Sequence, residues 1–265
     1  MVFLKRRFTV NSTRMINVSY SYPNSSEVIF SDLTVTIPSG IVAFIGQNGT
    51  GKSTFMLLAS GIASPSRGTV FLQGVDTAEL TDLKDRQKHV SLIHQNMEFE
   101  TTKPIGDLLY FLSENGYREV FDKDLVRELI VSLNLKEILN KQTHQVSKGE
   151  MQRTLIAFSL LYGSKVIMMD EPVFALESHE KEKIMGFVYD FIKSNKLSWL
   201  YSVHELELSK KFSDFVVLFD KNRFLQVGPT KSLHVNSKLE EIYETPYVFL
   251  KGKEFIYREG LKKFS

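Results

Sequence analysis

Two groups of residues have types and spacings that could do chemistry. In IVAFIGQNGTGKST, residues 41 to 54, an apolar run ends in a glycine-rich turn matching G-x-x-x-x-G-K-[ST] at Gly46, Gly51, Lys52 and Ser53, with Gly49 as a further glycine. Glycines allow positive φ and bring several backbone N–H groups close to one phosphate, with no Cβ in the way. A helix opening near Lys52 adds its free N–H groups and the positive end of its dipole. The expected nucleotide-binding set is Gly46, Gln47, Asn48, Gly49, Thr50, Gly51, Lys52, Ser53 and Thr54, with Lys52 on the β- and γ-phosphates and the Ser53 hydroxyl on Mg²⁺. The second group is VIMMDE (166 to 171), an apolar strand closing on two carboxylates at the end where ligands bind in open α/β sheets. Asp170 is expected to hold the Mg²⁺ shell and Glu171 to polarise an attacking water.

These groups need a scaffold, and the hydrophobic periodicity supplies one. Residues 2 to 10 (VFLKRRFTV), 15 to 22 (MINVSYSY), 33 to 38 (LTVTIP) and 41 to 46 are predicted strands, and a helix from about Lys52 to Ser60 stops at Gly61. GTVFLQGV (68 to 75) and VSLIHQ (90 to 95) are further strands. Between 104 and 140 apolar residues recur three and four apart, so a helical subdomain, about 96–148, is inserted into the α/β core. The α/β pattern resumes with helices over about 149–162 and 178–194 and a strand over 198–205. FVVLFD (215 to 220) and RFLQVG (223 to 228) form a closing pair joined by Lys221-Asn222. In the last stretch, YVFL and EFIYRE flank Lys251-Gly252-Lys253, so residues 238–265 are predicted to be an accessory hairpin whose removal leaves nucleotide binding intact.

Composition narrows the partners. The formal net charge of +2 is too mild to argue for nucleic acid, and the absence of cysteine excludes disulfides, thiol chemistry and Cys-ligated metal. No apolar run approaches the roughly 18 to 20 residues of a membrane span, and the basic N-terminus leads into polar residues, so a soluble protein is expected. Ser147 and Glu150 in VSKGEMQR form S-x-x-E ahead of an apolar helix, a capping box. A capped helix start with Gly149 in its first turn is also an anion site, and both readings stand together.

The ordered set resembles the nucleotide-binding ATPase subunit of ATP-binding cassette (ABC) transporters over roughly residues 15 to 235. The quoted motifs are a Walker A loop at Gly46 to Thr54, a Q-loop glutamine at Gln95, the signature-like VSKGE at Val146 to Glu150, a Walker B strand ending at Asp170 and Glu171, and a switch-type histidine at His204. The resemblance implies a P-loop NTPase (RecA-like) α/β core over residues 1–237, with an antiparallel β subdomain and the inserted helices. It implies ATP and Mg²⁺ as cofactors, with Gln95 joining Ser53 and Asp170 at the metal or touching the γ-phosphate, His204 contacting the γ-phosphate, and both joining Glu171 in catalysis. Tyr22, followed by Pro23, stacks on adenine in this reading; an inward-facing strand aromatic is the alternative. Ser147, Lys148, Gly149 and Glu150 serve the ATP of a second ABC ATPase, identical or different, in a head-to-tail dimer. The implied partners are permease subunits on separate chains, which hold the protein peripherally on the cytoplasmic face of the membrane. A non-transport ABC-type ATPase and a nucleotide switch with little hydrolysis are the alternatives. Where the family reads LSGGQ this chain has Val146, Lys148 and Glu150 as substitutions, with Lys148 expected to neutralise Glu150. Phe174, Ala175, Leu176 and Glu177 stand where the family has SALD.

Overall fold

The computed structural model describes residues 11–95, 97, 99–118 and 122–250. Its centre is β3 (Ile41–Gly46), six residues that are all buried. A strand covered on both faces reads as a continuous apolar run, which IVAFIG is. In the six-stranded sheet the order is β10-β9-β3-β8-β7-β6, formed by β6 (Val90–Ile93), β7 (Val166–Met169), β8 (Ser198–Ser202), β9 (Phe215–Phe219) and β10 (Leu225–Pro229) around β3. β10 alone in this sheet pairs antiparallel. A second, antiparallel sheet has the order β2-β1-β4-β5 and contains β1 (Asn11–Ser21), β2 (Val28–Pro38), β4 (Arg67–Leu72) and β5 (Val75–Asp76).

Between the two sheets lies α1 (Lys52–Ala59), which follows β3 directly. Phe44 of β3, Phe55 of α1 and Phe219 of β9 meet with ring centroids 5.2–5.9 Å apart, and Phe30 of β2 packs edge-on to Phe55 at 6.4 Å. Aromatic pairs at these distances add specific edge-to-face attraction to their area burial. The turn between β3 and α1 therefore stands on a rigid aromatic floor. After α2 (Leu83–His89), which leads into β6, the helices α3 (Ile105–Asn115), α4 (Lys123–Ser132), α5 (Lys148–Tyr162) and α6 (Ser178–Ser194) share one apolar cluster with the strands on the other face of the large sheet. The inserted helices thus merge their buried faces with the core.

Several boundaries differ from the sequence expectation for local reasons. GTVFLQGV is two strands, because Gln73 (φ 51) and Gly74 (φ 86) form a two-residue turn that pairs Leu72 with Val75. Such a turn needs positive φ at both residues, and Gln is a weaker signal for it than Asn or Asp. β9 and β10 are joined by residues 220–224 and not by Lys221-Asn222 alone; Asp220 accepts from the Phe224 N–H, and Arg223 is left-handed at φ 64. The strands ending in Gln95, Glu171 and Glu205 are shorter than predicted, stopping at Ile93, Met169 and Ser202. The expected strand over residues 2–10 lies outside the described residues.

The tail is the main correction. After the short helices α7 (Leu206–Lys211) and α8 (Thr230–Leu233), α9 (Asn236–Tyr243) is followed by helical residues 247–250, so YVFL is no hairpin arm; its intended partner EFIYRE lies outside the described residues. Leu239 and Ile242 are buried, and Leu250, Tyr243 and Tyr247 pack into the same cluster as β3 and β8. Leu239, Ile242 and Leu250 therefore anchor this segment to the core, so its removal is expected to lower stability. Leu239→Ala should cost about 2–5 kcal/mol, the range for emptying a buried leucine site, read as a lowered thermal midpoint. A midpoint equal to wild type would return the tail to accessory status.

Candidate active site

The site forms where β3, β6, β7 and β8 run out at their C-terminal ends, the ligand-binding edge of a parallel sheet. In the β3–α1 turn, Gly51 is left-handed at φ 99, and a Cβ there would lie 2.9 Å from the Phe30 ring. A Cβ on Gly46 would meet the Phe219 carbonyl oxygen at 2.5 Å. Backbone conformation at one position and close packing at the other require glycine. Lys52 is buried at the first position of α1, and its Nζ donates to the Gly46 and Gln47 carbonyls, each at 2.8 Å. Burial lowers the Lys52 pKa, opposed by the nearby charges of Asp170 and Glu171. Thr50 also donates to the Gln47 carbonyl, at 2.9 Å. Ser53 is exposed, and Thr54 is tied to Tyr22 through their hydroxyls, 2.9 Å apart. Tyr22 keeps an exposed ring, edge-on to Tyr20 at 5.2 Å, just beyond the end of β1.

Opposite the loop, Asp170 and Glu171 leave the end of β7. Asp170 is buried, its N–H donates to the Ile93 carbonyl at 2.9 Å, and its Oδ1 accepts from the Ser202 hydroxyl at 2.5 Å. Glu171 is a non-glycine residue at φ 53, a conformation that surrounding contacts must hold. Its carboxylate accepts from Gln95 Nε2 at 2.9 Å on one oxygen and faces His204 Nε2 at 2.6 Å on the other. The Q-loop, Walker B and switch residues are thus brought together at one carboxylate.

Ser53, Asp170 and the carbonyl oxygen of Gln95 are hard oxygen donors, the kind Mg²⁺ takes. Among the described residues no group of three or more His, Cys, Asp or Glu could hold a metal by itself. This donor set suits Mg²⁺, which binds through one or two carboxylates and completes its shell with phosphate and water.

The signature-like residues lie apart from the phosphate loop in their bonding. Ser147 caps α5, accepting from the Glu150 N–H at 3.2 Å, while Glu150 accepts from the Ser147 N–H at 2.7 Å. Both halves of the capping box are made. The cation on Glu150 is Lys141, at 3.4 Å, and not Lys148, whose side chain is exposed. Gly149 packs on the loop after Walker B, where a Cβ would lie 3.1 Å from the Ala175 carbonyl oxygen.

Sequence reading missed two side chains that brace the acids. Gln152, one turn into α5, donates to the Glu171 carbonyl at 2.8 Å and accepts from the Ala175 N–H at 2.8 Å. Ser202 bonds both Asp170 and the Glu171 N–H. The available signal for Ser202 was a small polar residue closing the buried strand WLY two residues before His204. A third unforeseen contact runs from Gln47 Nε2 to the Ile242 carbonyl, 3.4 Å, tying the loop to α9.

The ABC transporter family model matches residues 30–174. The chain belongs to the ABC transporter family. The petrobactin import ATP-binding protein YclP of Bacillus subtilis (strain 168) is 28% identical over 233 residues, covering 86% of this chain and 91% of that protein. The energy-coupling factor transporter ATP-binding protein EcfA1 of Geobacillus kaustophilus (strain HTA426) is 28% identical over 229 residues, covering 85% of this chain and 81% of the relative. Against the Fe(3+) ions import ATP-binding protein FbpC of Escherichia coli O157:H7, identity is 25% over 226 residues; the match covers 84% of this chain and 64% of that relative's length. The fold is that of the ATP-binding cassette MJ0796, solved as a dimer in a post-hydrolysis state with ADP and Pi, at a TM-score of 0.71, 20% identity, and 82% and 98% coverage. As an ABC cassette the chain binds and hydrolyses ATP, and no helix of the described residues is long and apolar enough to cross a membrane.

Beside the Q-loop an apolar groove of about 390 Å³ opens between the sheet edge and the inserted helices, lined by Ile62, Leu83, Met97, Phe99, Phe111 and Phe158 among others.

Glu150 carries a charge-linked expectation. Accepting the Ser147 backbone N–H, helped by Lys141, holds its carboxyl below the usual range. A depressed carboxylate adds stability above its unfolded pKa that is lost as pH falls through the folded pKa. Glutamine can complete the same capping box, so Glu150→Gln should melt below wild type at neutral pH, with the gap closing on acidification. Melting curves of both proteins across pH check this; a gap that ignores pH would contradict it.

Proposed function

We propose that this chain is the ATPase subunit of a transporter whose membrane-crossing subunits are separate chains, and that two cassettes close head to tail around ATP. The observation that carries the reading is Glu171, held between Gln95 and His204 at the mouth of the Lys52 loop. In this reading Tyr22 offers its exposed ring to adenine, and the loop N–H groups with Lys52 take the phosphates. On binding, Lys52 exchanges two carbonyl partners for phosphate oxygens, a charge-assisted and stronger bond. Mg²⁺, held by Ser53, Asp170 and Gln95, supplies neutralisation of phosphate charge when bound. Glu171 orients and polarises the attacking water, and His204 steadies both the carboxylate and the γ-phosphate. The start of α5, with Ser147 and Gly149, meets the partner cassette's ATP, and Lys141 screens the Glu150 charge there.

Gln95 is two residues from Met97 at the groove. A permease segment seated among these apolar side chains would therefore sense the γ-phosphate end through the Q-loop. In this reading the chain sits peripherally on the cytoplasmic face of the membrane. Several relatives are named as import proteins for petrobactin, ferric ions or cobalt, which favours inward transport.

Glu171→Gln tests the catalytic assignment. The amide keeps the size and one acceptor but loses the charge, so ATP binding should survive while hydrolysis falls by about 10²–10⁴-fold, the range for losing a general base. The variant should accumulate as a closed dimer with ATP, read by size-exclusion chromatography with light scattering. Asp170→Asn, losing support for the metal, should give less dimer at the same Mg-ATP concentration. A Glu171→Gln protein that binds Mg-ATP yet stays monomeric would refute closure by the cassette alone.

A further inference from the structure

We propose that Ser202 is a positioning residue of the hydrolytic site: one buried hydroxyl sets the carboxylate of Asp170 and the backbone of Glu171 together. The inference rests on the reading of Asp170 as the metal-side acid given above. Ser202 is the last residue of β8 and is 0% exposed. β7 and β8 run parallel with Met169 beside Tyr201, so the strands end level and Ser202 lies beside Asp170. Its hydroxyl donates to Asp170 Oδ1 at 2.5 Å and accepts from the Glu171 N–H at 2.9 Å. A serine hydroxyl has one donor and two acceptor lone pairs, and here the donor and one acceptor are used on two successive residues.

Packing does not account for a hydroxyl here. The residues before it, Trp199, Leu200 and Tyr201, are fully buried in the apolar clusters on the two sheet faces, and an alanine or valine would continue that pattern. What only a hydroxyl supplies is the pair of bonds. The first denies Asp170 rotation about its carboxylate, so that acid is presented in one orientation. The second, with the Gln152 bond to the Glu171 carbonyl, fixes both peptide groups of a residue at φ 53. Without them that left-handed conformation has fewer contacts to hold it. Ser202 thereby links metal support to water orientation without touching either.

The test uses the full chain as wild type, Ser202→Ala, Ser202→Thr and Asp170→Asn. Affinity for ATP is measured by calorimetry in EDTA and in Mg²⁺, and thermal midpoints are recorded in parallel. Ser202→Ala should keep its affinity in EDTA but lose about tenfold of the Mg²⁺-dependent gain, as expected for one charge-assisted hydrogen bond. Ser202→Thr, which retains the hydroxyl, should recover most of the gain. If Asp170→Asn loses the gain while Ser202→Ala keeps it, the proposal is overturned and the role of Asp170 stands, even where the midpoint of Ser202→Ala has dropped. If neither variant loses the gain, the metal-side reading of Asp170 fails and takes the proposal with it. Should Ser202→Ala not fold, Ser202→Cys, similar in size but a weak donor, decides on the same measurement.

Discussion

The structure depends on keeping charge at a dry sheet edge. Lys52, Asp170 and Glu171 are all buried where parallel strands end, and burial of unpaired charge is too costly to leave uncompensated. Each is compensated differently. Lys52 turns back onto two carbonyls of its own loop, Asp170 takes a hydroxyl from the neighbouring strand, and Glu171 is held by an amide and an imidazole. These partners are exchangeable in one case only: Lys52 can trade carbonyls for an anion without losing hydrogen bonds. The acids sit in fixed frames, so an arriving anion meets one cation whose carbonyl partners it can replace and two oriented carboxylates.

That contrast explains the heavy packing behind the loop. A turn whose glycines leave it few side-chain contacts takes its shape from what supports it. Phe30, Phe44, Phe55 and Phe219 provide the floor, and Gln47 reaches the Ile242 carbonyl in α9. The tail thus joins the phosphate loop by a polar contact and the core through Leu239 and Ile242.

The sequence was legible where one local rule suffices. IVAFIG as a doubly covered strand, the glycine turn into α1, the capping box at Ser147 and the helix over Ser178–Ser194 all follow from neighbours along the chain. It was misleading where tertiary pairing decided the outcome. Gln73 adopts positive φ because β4 and β5 pair, and in YVFL the helical turn after α9 brings Tyr247 and Leu250 to the core while Val248 and Phe249 stay exposed. Charge partners were the least legible: Lys148 neighbours Glu150 in sequence, yet on a helix residues two apart do not face each other, and Lys141 from the preceding loop takes that place. The motifs named the charged side chains that meet at the sheet edge. Their braces, Gln152 and Ser202, are ordinary polar residues whose meaning comes only from lying 2.8–2.9 Å from the Glu171 backbone.

Those braces also show how distant parts of the cassette converge on the one carboxylate of Glu171. Glu171 is reached by four side chains from three stretches of chain: Gln95 after β6, Gln152 in α5, and Ser202 ending β8 with His204 just beyond it. Gln95 lies beside the apolar groove, while Gln152 is on the helix whose start carries Ser147 and Gly149. A shift at either place changes the support of the same left-handed residue. Such a conformation tolerates little loss of support before a better φ is reached. Coupling through Glu171 therefore needs only short steps: Gln95 joins it to the segment that enters the groove at Met97, and Gln152 joins it to the helix that starts after Ser147.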